Sequence, residues 1–163
     1  MERPETEHYE LVARETVAMA SERAGHARAK FRIARQLSEA VEAARLPCTV
    51  FPDGMAVLVD TDTVYEPDAF VRCDEDIPPD AGKVTDPLIA VEVLSPSSRP
   101  VDTGLRFTDY FRIPSIRHAL VVRAETRAVV HHARAEDGSI ATRIVEGRRL
   151  RLDLPGVELA LFG

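Results

Sequence analysis

The chain has 163 residues, of which 45% are hydrophobic and 29% charged; this excludes disordered and fibrous classes and fits one folded domain over residues 1–163. Its net charge of −6 and pI of about 5.4 exclude a permanent, non-specific nucleic-acid coat, which needs a basic surface. No run reaches the ~18 apolar residues of a membrane span, and the acidic start MERPETEHYE is unlike a secretion signal, so the expectation is a cytoplasmic chain with Cys48 and Cys73 as reduced thiols.

Residues 1–8 read as loose. YELV and ETVAMA read as two short strands joined at Ala13-Arg14. In GHARAKFRIARQLSEAVEAARL, Ile33, Leu37, Val41 and Ala44 recur at helical spacing with the charges mostly elsewhere, so this is the long helix, stopped by Pro47. CTVF, MAVLVD and VYEPDAFVRC read as strands separated by Pro52-Asp53-Gly54 and Asp60-Thr61-Asp62. After an acidic, proline-bearing loop comes LIAVEVL, apolar at nearly every position and so expected at the centre of a sheet. SPSSRP breaks it, and a short helix over 102–112 ends before Pro114. HALVVRA, RAVVHHA and ATRIVE are further strands, and LDLPGVELALF reads as a last edge strand. This order predicts an α+β domain with a mixed, mainly antiparallel sheet flanked by one long and one short helix, and excludes a doubly wound fold.

Two acids stand where strands disfavour them. Alternation along VYEPDAFVRC puts Glu66, Asp68, Phe70 and Arg72 on one face. Glu92 lies among apolar residues in LIAVEVL, where a carboxylate is costly unless paired, protonated or bound to a metal. One loop joins the two strands, which predicts antiparallel neighbours and lets Asp68 and Glu92 converge on a hard cation, Mg²⁺ or Mn²⁺. The bland reading is a buried salt bridge from Glu92 to Arg106 or Arg72, and for Asp68 a Pro-Asp turn.

The stretch EVLSPSSRPVDTGLRFTDYFRIPSIRHALVV narrows this. With the Pro67-Asp68 pair upstream, it resembles the Uma-type family of restriction endonucleases, related to the PD-(D/E)XK nuclease superfamily. YELVARETVAMA, GHARAKFRIARQL and PCTVFPDGMAVLVD resemble that family's opening hairpin, helix and next two strands. The resemblance implies a restriction-endonuclease-like fold and Mg²⁺-dependent hydrolysis of nucleic acid, DNA foremost. Asp68 and Glu92 match its metal-binding acids. The lysine of the ordinary E-X-K pattern is replaced by Leu94; in the Uma-type branch it has moved to the following helix, where this chain carries Arg106. Asp102 and Tyr110 match flanking positions on the same helical face, and His26 matches a position at the helix entry. Arginine keeps the charge and can clamp a phosphate, but it cannot act as a base. The resemblance also implies a homodimer, to which the sequence adds a C-terminal sheet edge in need of cover. The rival expectation is a catalytically idle nuclease fold serving as an interaction or regulatory module.

Other candidates have plainer readings. His131 and His132 are strand neighbours that point to opposite faces, one exposed and one half-buried, so they cannot chelate one ion. Glu10, on the opening hairpin, is a candidate to add a carboxylate from an adjacent element, with a solvated strand residue the favoured reading, and Asp74-Glu75-Asp76 reads as a solvated run. Arg28, Lys30, Arg32 and Arg35 form the one concentrated positive stripe, by default a solvated helix face. Of the 21 basic residues only Lys30 and Lys83 are lysines. No P-loop, GxGxxG, CxxC or serine-hydrolase pattern is present.

Overall fold

The structure, a computed structural model, describes residues 9–18, 22–96, 98 and 100–162. The expected looseness of residues 1–8, and the end of ETVAMA, lie outside those residues. β1 (Tyr9–Val12) and β2 (Glu15–Ala18) form the opening hairpin, turning through Ala13 and Arg14, both at positive φ, the geometry of a two-residue primed turn. Helix α1 spans Ala24–Ala43 and buries Ile33, Leu37 and Val41, the spacing read from the sequence, together with Lys30. It ends with Arg45 in the left-handed region, just before Pro47. β3 (Cys48–Pro52) and β4 (Ala56–Asp60) follow.

VYEPDAFVRC is not one strand. It splits at Glu66-Pro67-Asp68 into β5 (Thr63–Tyr65) and β6 (Ala69–Cys73), which belong to different sheets. Pro67 has no N–H to donate to a ladder, and the chain bends there. The expected common face for Glu66, Asp68, Phe70 and Arg72 is therefore corrected. Within the acidic loop a short β7 (Lys83–Val84) pairs in parallel with β4. β8 is Ile89–Val93, α2 is Pro100–Tyr110, and β9 (His118–Arg123), β10 (Ala128–Arg134) and β11 (Ile140–Val145) complete the main sheet. The expected single last strand is a hairpin, β12 (Arg149–Leu152) with β13 (Val157–Ala160).

The main sheet has six strands in the order β11-β10-β9-β8-β6-β3. β8 is interior to it, parallel to β9 and antiparallel to β6, which explains its apolar run. Its alternate residues feed two cores. Ile89, Val91 and Val93 join Ile33, Leu37 and Val41 of α1 and the leucines of the final hairpin. Ala90 joins Phe107 and Tyr110 of α2 with Val57 and Tyr65. Those last two belong to β4 and β5 of a five-stranded sheet, β2-β1-β5-β4-β7. The architecture is thus α+β, with mixed but mainly antiparallel sheets. No helix among the described residues is long and apolar enough to cross a membrane.

Two sequence expectations need correction. Cys48 and Cys73 sit directly opposite each other in the β3–β6 register and are joined by a disulfide, so they are not two reduced thiols. His131 and His132 do face opposite ways, but His131 is buried at 2% exposure and neither ring is exposed. His132 stacks at 4.9 Å on Phe107 and meets the Thr142 hydroxyl at 2.8 Å. Arg143 Nε donates to His131 Nδ1 at 3.0 Å. Arginine can only donate, so His131 carries its proton on Nε2 and donates it to His118 Nδ1 at 2.9 Å.

This buried relay gives a signed pH dependence. Burial, then the neighbouring His118 and Arg143, pulls His131 down to about 4, against about 6.5 in an unfolded chain. Between those values the unfolded state binds a proton that the folded state refuses, so stability falls on acidification from about pH 6.5 to 4. In thermal melts across that window, His131→Leu should show a shallower fall in Tm with decreasing pH than the parent. An unchanged slope would contradict the neutral buried relay.

Candidate functional site

Glu92 stands one residue before the end of β8, on the face turned to α2. Its carboxylate is largely buried, with a side chain 12% exposed, and a charge there needs partners. Tyr110, buried in the last turn of α2, donates its hydroxyl to Glu92 Oε1 at 2.6 Å. One turn earlier Arg106 donates from an Nη atom to the same oxygen at 3.2 Å. The guanidinium holds a second carboxylate more closely. It grips Glu10 in two-pronged fashion, one Nη to Oε1 at 2.7 Å and the other to Oε2, and lies over the Tyr65 ring at 4.8 Å.

Glu10 reaches this point because β1 pairs with β5. It is buried at 4% exposure and also accepts the Glu66 N–H at 2.9 Å. The expectation of a solvated strand residue is corrected: Glu10 is the main ion-pair partner of Arg106. Burial pushes Glu92 up to about 7; Arg106 and the Tyr110 hydroxyl oppose this, while the charge of Asp68 adds to it. Burial disfavours the charge on Arg106, but Glu92, Tyr110 and Glu10 together outweigh it, and the guanidinium is held protonated.

Asp68 lies just before β6. The β6–β8 register pairs Ala69 with Val91, so one further step of that register sets Asp68 opposite Glu92. Asp68 Oδ2 accepts the Val93 backbone N–H at 2.6 Å, and its other oxygen is 3.4 Å from Lys30 Nζ. Burial raises its pKa, opposed by the Val93 N–H and by Lys30 and His26. The adjacent Val93 carbonyl accepts from His26 Nε2 at 2.6 Å, and the other ring nitrogen meets Glu22 Oε1 at 3.0 Å. Asp68, His26 and Glu22 each offer a ligand atom, all within 4.8 Å of one another.

Lys30 does not belong to the solvated stripe. It is 7% exposed, and its ammonium bonds Asp53 Oδ2 at 2.5 Å and pairs with Glu22 as well as Asp68. Burial works against this charge, and the bonds to Asp53 and Glu22 with the charge of Asp68 overcome it, so the amine is held protonated. Arg28, Arg32 and Arg35 stay on the exposed side of α1.

The structure thus brings Asp68, Glu92, Arg106, Tyr110 and His26 to one end of the central strand, and leaves Asp102 exposed in the first turn of α2. Sequence reasoning missed Glu22, Lys30 and Asp53 as site residues, and it named Glu10 as a candidate carboxylate while favouring a solvated reading. A groove of about 550 Å³ lined by Glu22, His26, Ala29, Val93 and Ser95 opens beside the His26 end of the site. A separate cavity of about 530 Å³, lined by Phe107, Phe111, His132 and Ile140, lies against α2 away from the carboxylates.

Comparison with the curated proteins finds no match. Among solved structures, the fold resembles a putative nuclease belonging to DUF820 from Anabaena variabilis, with a TM-score of 0.71 at 12% identity, covering 88% of this chain and 79% of that one. At that identity the likeness speaks to the fold alone, and it agrees with a restriction-endonuclease-like architecture. The family model described as Uma2, putative restriction endonuclease, matches residues 1–161. A match over nearly the whole length leaves one assignment for the two helices and the acid pair between them: the chain belongs to the Uma2 family.

Proposed function

We propose that this chain is a metal-dependent endonuclease that hydrolyses phosphodiester bonds in nucleic acid, with DNA as the substrate. The observation that supports this most is the placement of Asp68 opposite Glu92, one step beyond the Ala69–Val91 pair of two antiparallel neighbours, at the same end as the Val93 backbone. The donor types fit a hard divalent ion: two carboxylates and a backbone carbonyl, with an imidazole close by. Asp68, Glu92 and the Val93 carbonyl would hold Mg²⁺ or Mn²⁺. When bound, that ion supplies Lewis acidity and a lowered pKa for water.

The chain's own residues set the rest. Arg106 is a fixed positive charge for the scissile phosphate and cannot take a proton from water. Tyr110, whose pKa burial and the Glu92 charge hold well above 10, stays a phenol and orients Glu92. Glu10 shares the Arg106 guanidinium with Glu92 and so keeps part of its charge from Glu92. Glu92 must give up the proton that burial favours, so activity should rise with pH toward about 7 and level off above it.

The second reading, an idle nuclease fold kept as an interaction or regulatory module, is favoured by one specific observation. Each site acid already has a protein partner: Arg106 and Tyr110 for Glu92, Lys30 and the Val93 N–H for Asp68. Breaking a buried pair is costly, so divalent affinity is weak on either reading. A cytoplasmic location goes with the nuclease reading, although the Cys48–Cys73 disulfide removes free thiols as an argument for it.

Arg106→Lys discriminates between the readings. Lysine cannot span both Glu10 oxygens, so Glu92 is freed, and an amine can lose a proton where its pKa is depressed. Mn²⁺-dependent nicking of plasmid DNA should rise at least tenfold over the parent, and Glu92→Ala should abolish it. Nicking that stays at background in Arg106→Lys would favour the idle fold.

We also propose a two-fold homodimer. β11 is an edge of the main sheet, exposed over Ile140–Ile144, and such an edge needs cover. Light scattering at micromolar concentration should give twice the chain mass; a monomer would contradict it.

A further inference from the structure

The site holds a cation that the nuclease reading does not use. Lys30 comes from the buried stripe of α1, and its ammonium sits among Glu22, Asp53 and Asp68, with His26 bonded to the same Glu22. These donors suit a divalent ion as well as an amine, because Glu22, His26 and Asp68 already cluster within 4.8 Å. Arg106, a half-buried cation, is committed to Glu10 and Glu92 on the α2 side. Asp68 therefore stands between two cation positions: the Glu92 side, and the Lys30 side.

We infer that Lys30 is a built-in cation that takes the place of a second divalent ion at the Glu22–Asp53–Asp68 cluster, limiting the site to one metal. The inference rests on the nuclease reading for the ion on the Glu92 side. A fixed charge carries no dissociation constant, so it permanently offsets part of the charge of three carboxylates where an anionic backbone must approach. Lysine suits this position better than arginine. Its compact ammonium has three donors for three carboxylates, whereas a planar fork matches one or two. In a chain with only two lysines, one occupies this spot.

Mn²⁺ calorimetry tests this with a readout independent of cleavage. The parent should bind one Mn²⁺ per chain, lost in Glu92→Ala. Lys30→Met should bind two, and Lys30→Met with Asp53→Asn should return to one. Lys30→Met still binding one, or the parent already binding two, would overturn the inference and leave the nuclease reading intact. A parent that binds none while Lys30→Met binds one, lost again with Asp53→Asn, would uphold the role of Lys30 and sink the metal-dependent reading; no binding in either would sink both. If Lys30→Met fails to fold, the native chain suffices. Labelled with ¹⁵N-lysine, it has two side-chain ammonium groups, Lys30 and Lys83. The Lys30 signal should remain protected from solvent exchange at saturating Mg²⁺. Its release to solvent on adding Mg²⁺ would mean that the ion displaces the amine, contrary to the inference.

Discussion

A carboxylate near the end of an apolar central strand has to be answered by its surroundings, and much of this site follows from how Glu92 is answered. β8 is covered on one face by α1 and on the other by α2 and the second sheet, so little water reaches the charge. Tyr110 and Arg106 come one helical turn apart from α2 to do so. Arg106 carries a full charge into a half-buried place and needs an acid beyond Glu92. Glu10 supplies it, and this ties the opening hairpin to α2 across 96 residues of chain. The second sheet thus contributes a charge to the site as well as packing to the fold.

The other half of the site is answered from α1. Asp68, turned out of its strand by Pro67, is held by a backbone N–H and by Lys30. The two halves meet at Val93, whose N–H serves Asp68 and whose carbonyl serves His26. Two bases thus serve five acids: Arg106 holds Glu10 and Glu92, and Lys30 holds Asp68, Glu22 and Asp53. Each acid has a cationic partner within the protein, although the acids outnumber the two bases, and this lets an acid-rich site stand beside a stable core. It also means that any external cation enters against existing ion pairs.

Much of this was legible in the residues. Ile33, Leu37 and Val41 mark α1 by spacing, and the unbroken apolar run marks β8 as a central strand. Asp68 and Glu92 stand out because strands disfavour acids, and the helix spacing of Arg106 and Tyr110 aims both at the same place. Lys30 could also have been read. It precedes Ile33 by three residues and Leu37 by seven, so it shares their buried stripe and not the exposed side of Arg28 and Arg32. The burial of Glu10 could not be read, because it depends on β1 pairing with β5, a contact without local signature. The cysteine pair was hidden for the same reason: only the β3–β6 register sets Cys48 against Cys73. The split of VYEPDAFVRC was signalled by Pro67, and alternation was carried through it wrongly.

The metal-dependent reading requires Asp68 and Glu92 to share a divalent cation although Arg106 and Lys30 already pair with them. A crystal grown above pH 7 and soaked in Mn²⁺ tests this directly through anomalous scattering. One peak is expected between Asp68 and Glu92, within about 2.5 Å of an oxygen of each, with Arg106 retained on Glu10 and Lys30 in place. No peak at those carboxylates at millimolar Mn²⁺, with the Arg106–Glu92 pair unbroken, would contradict it.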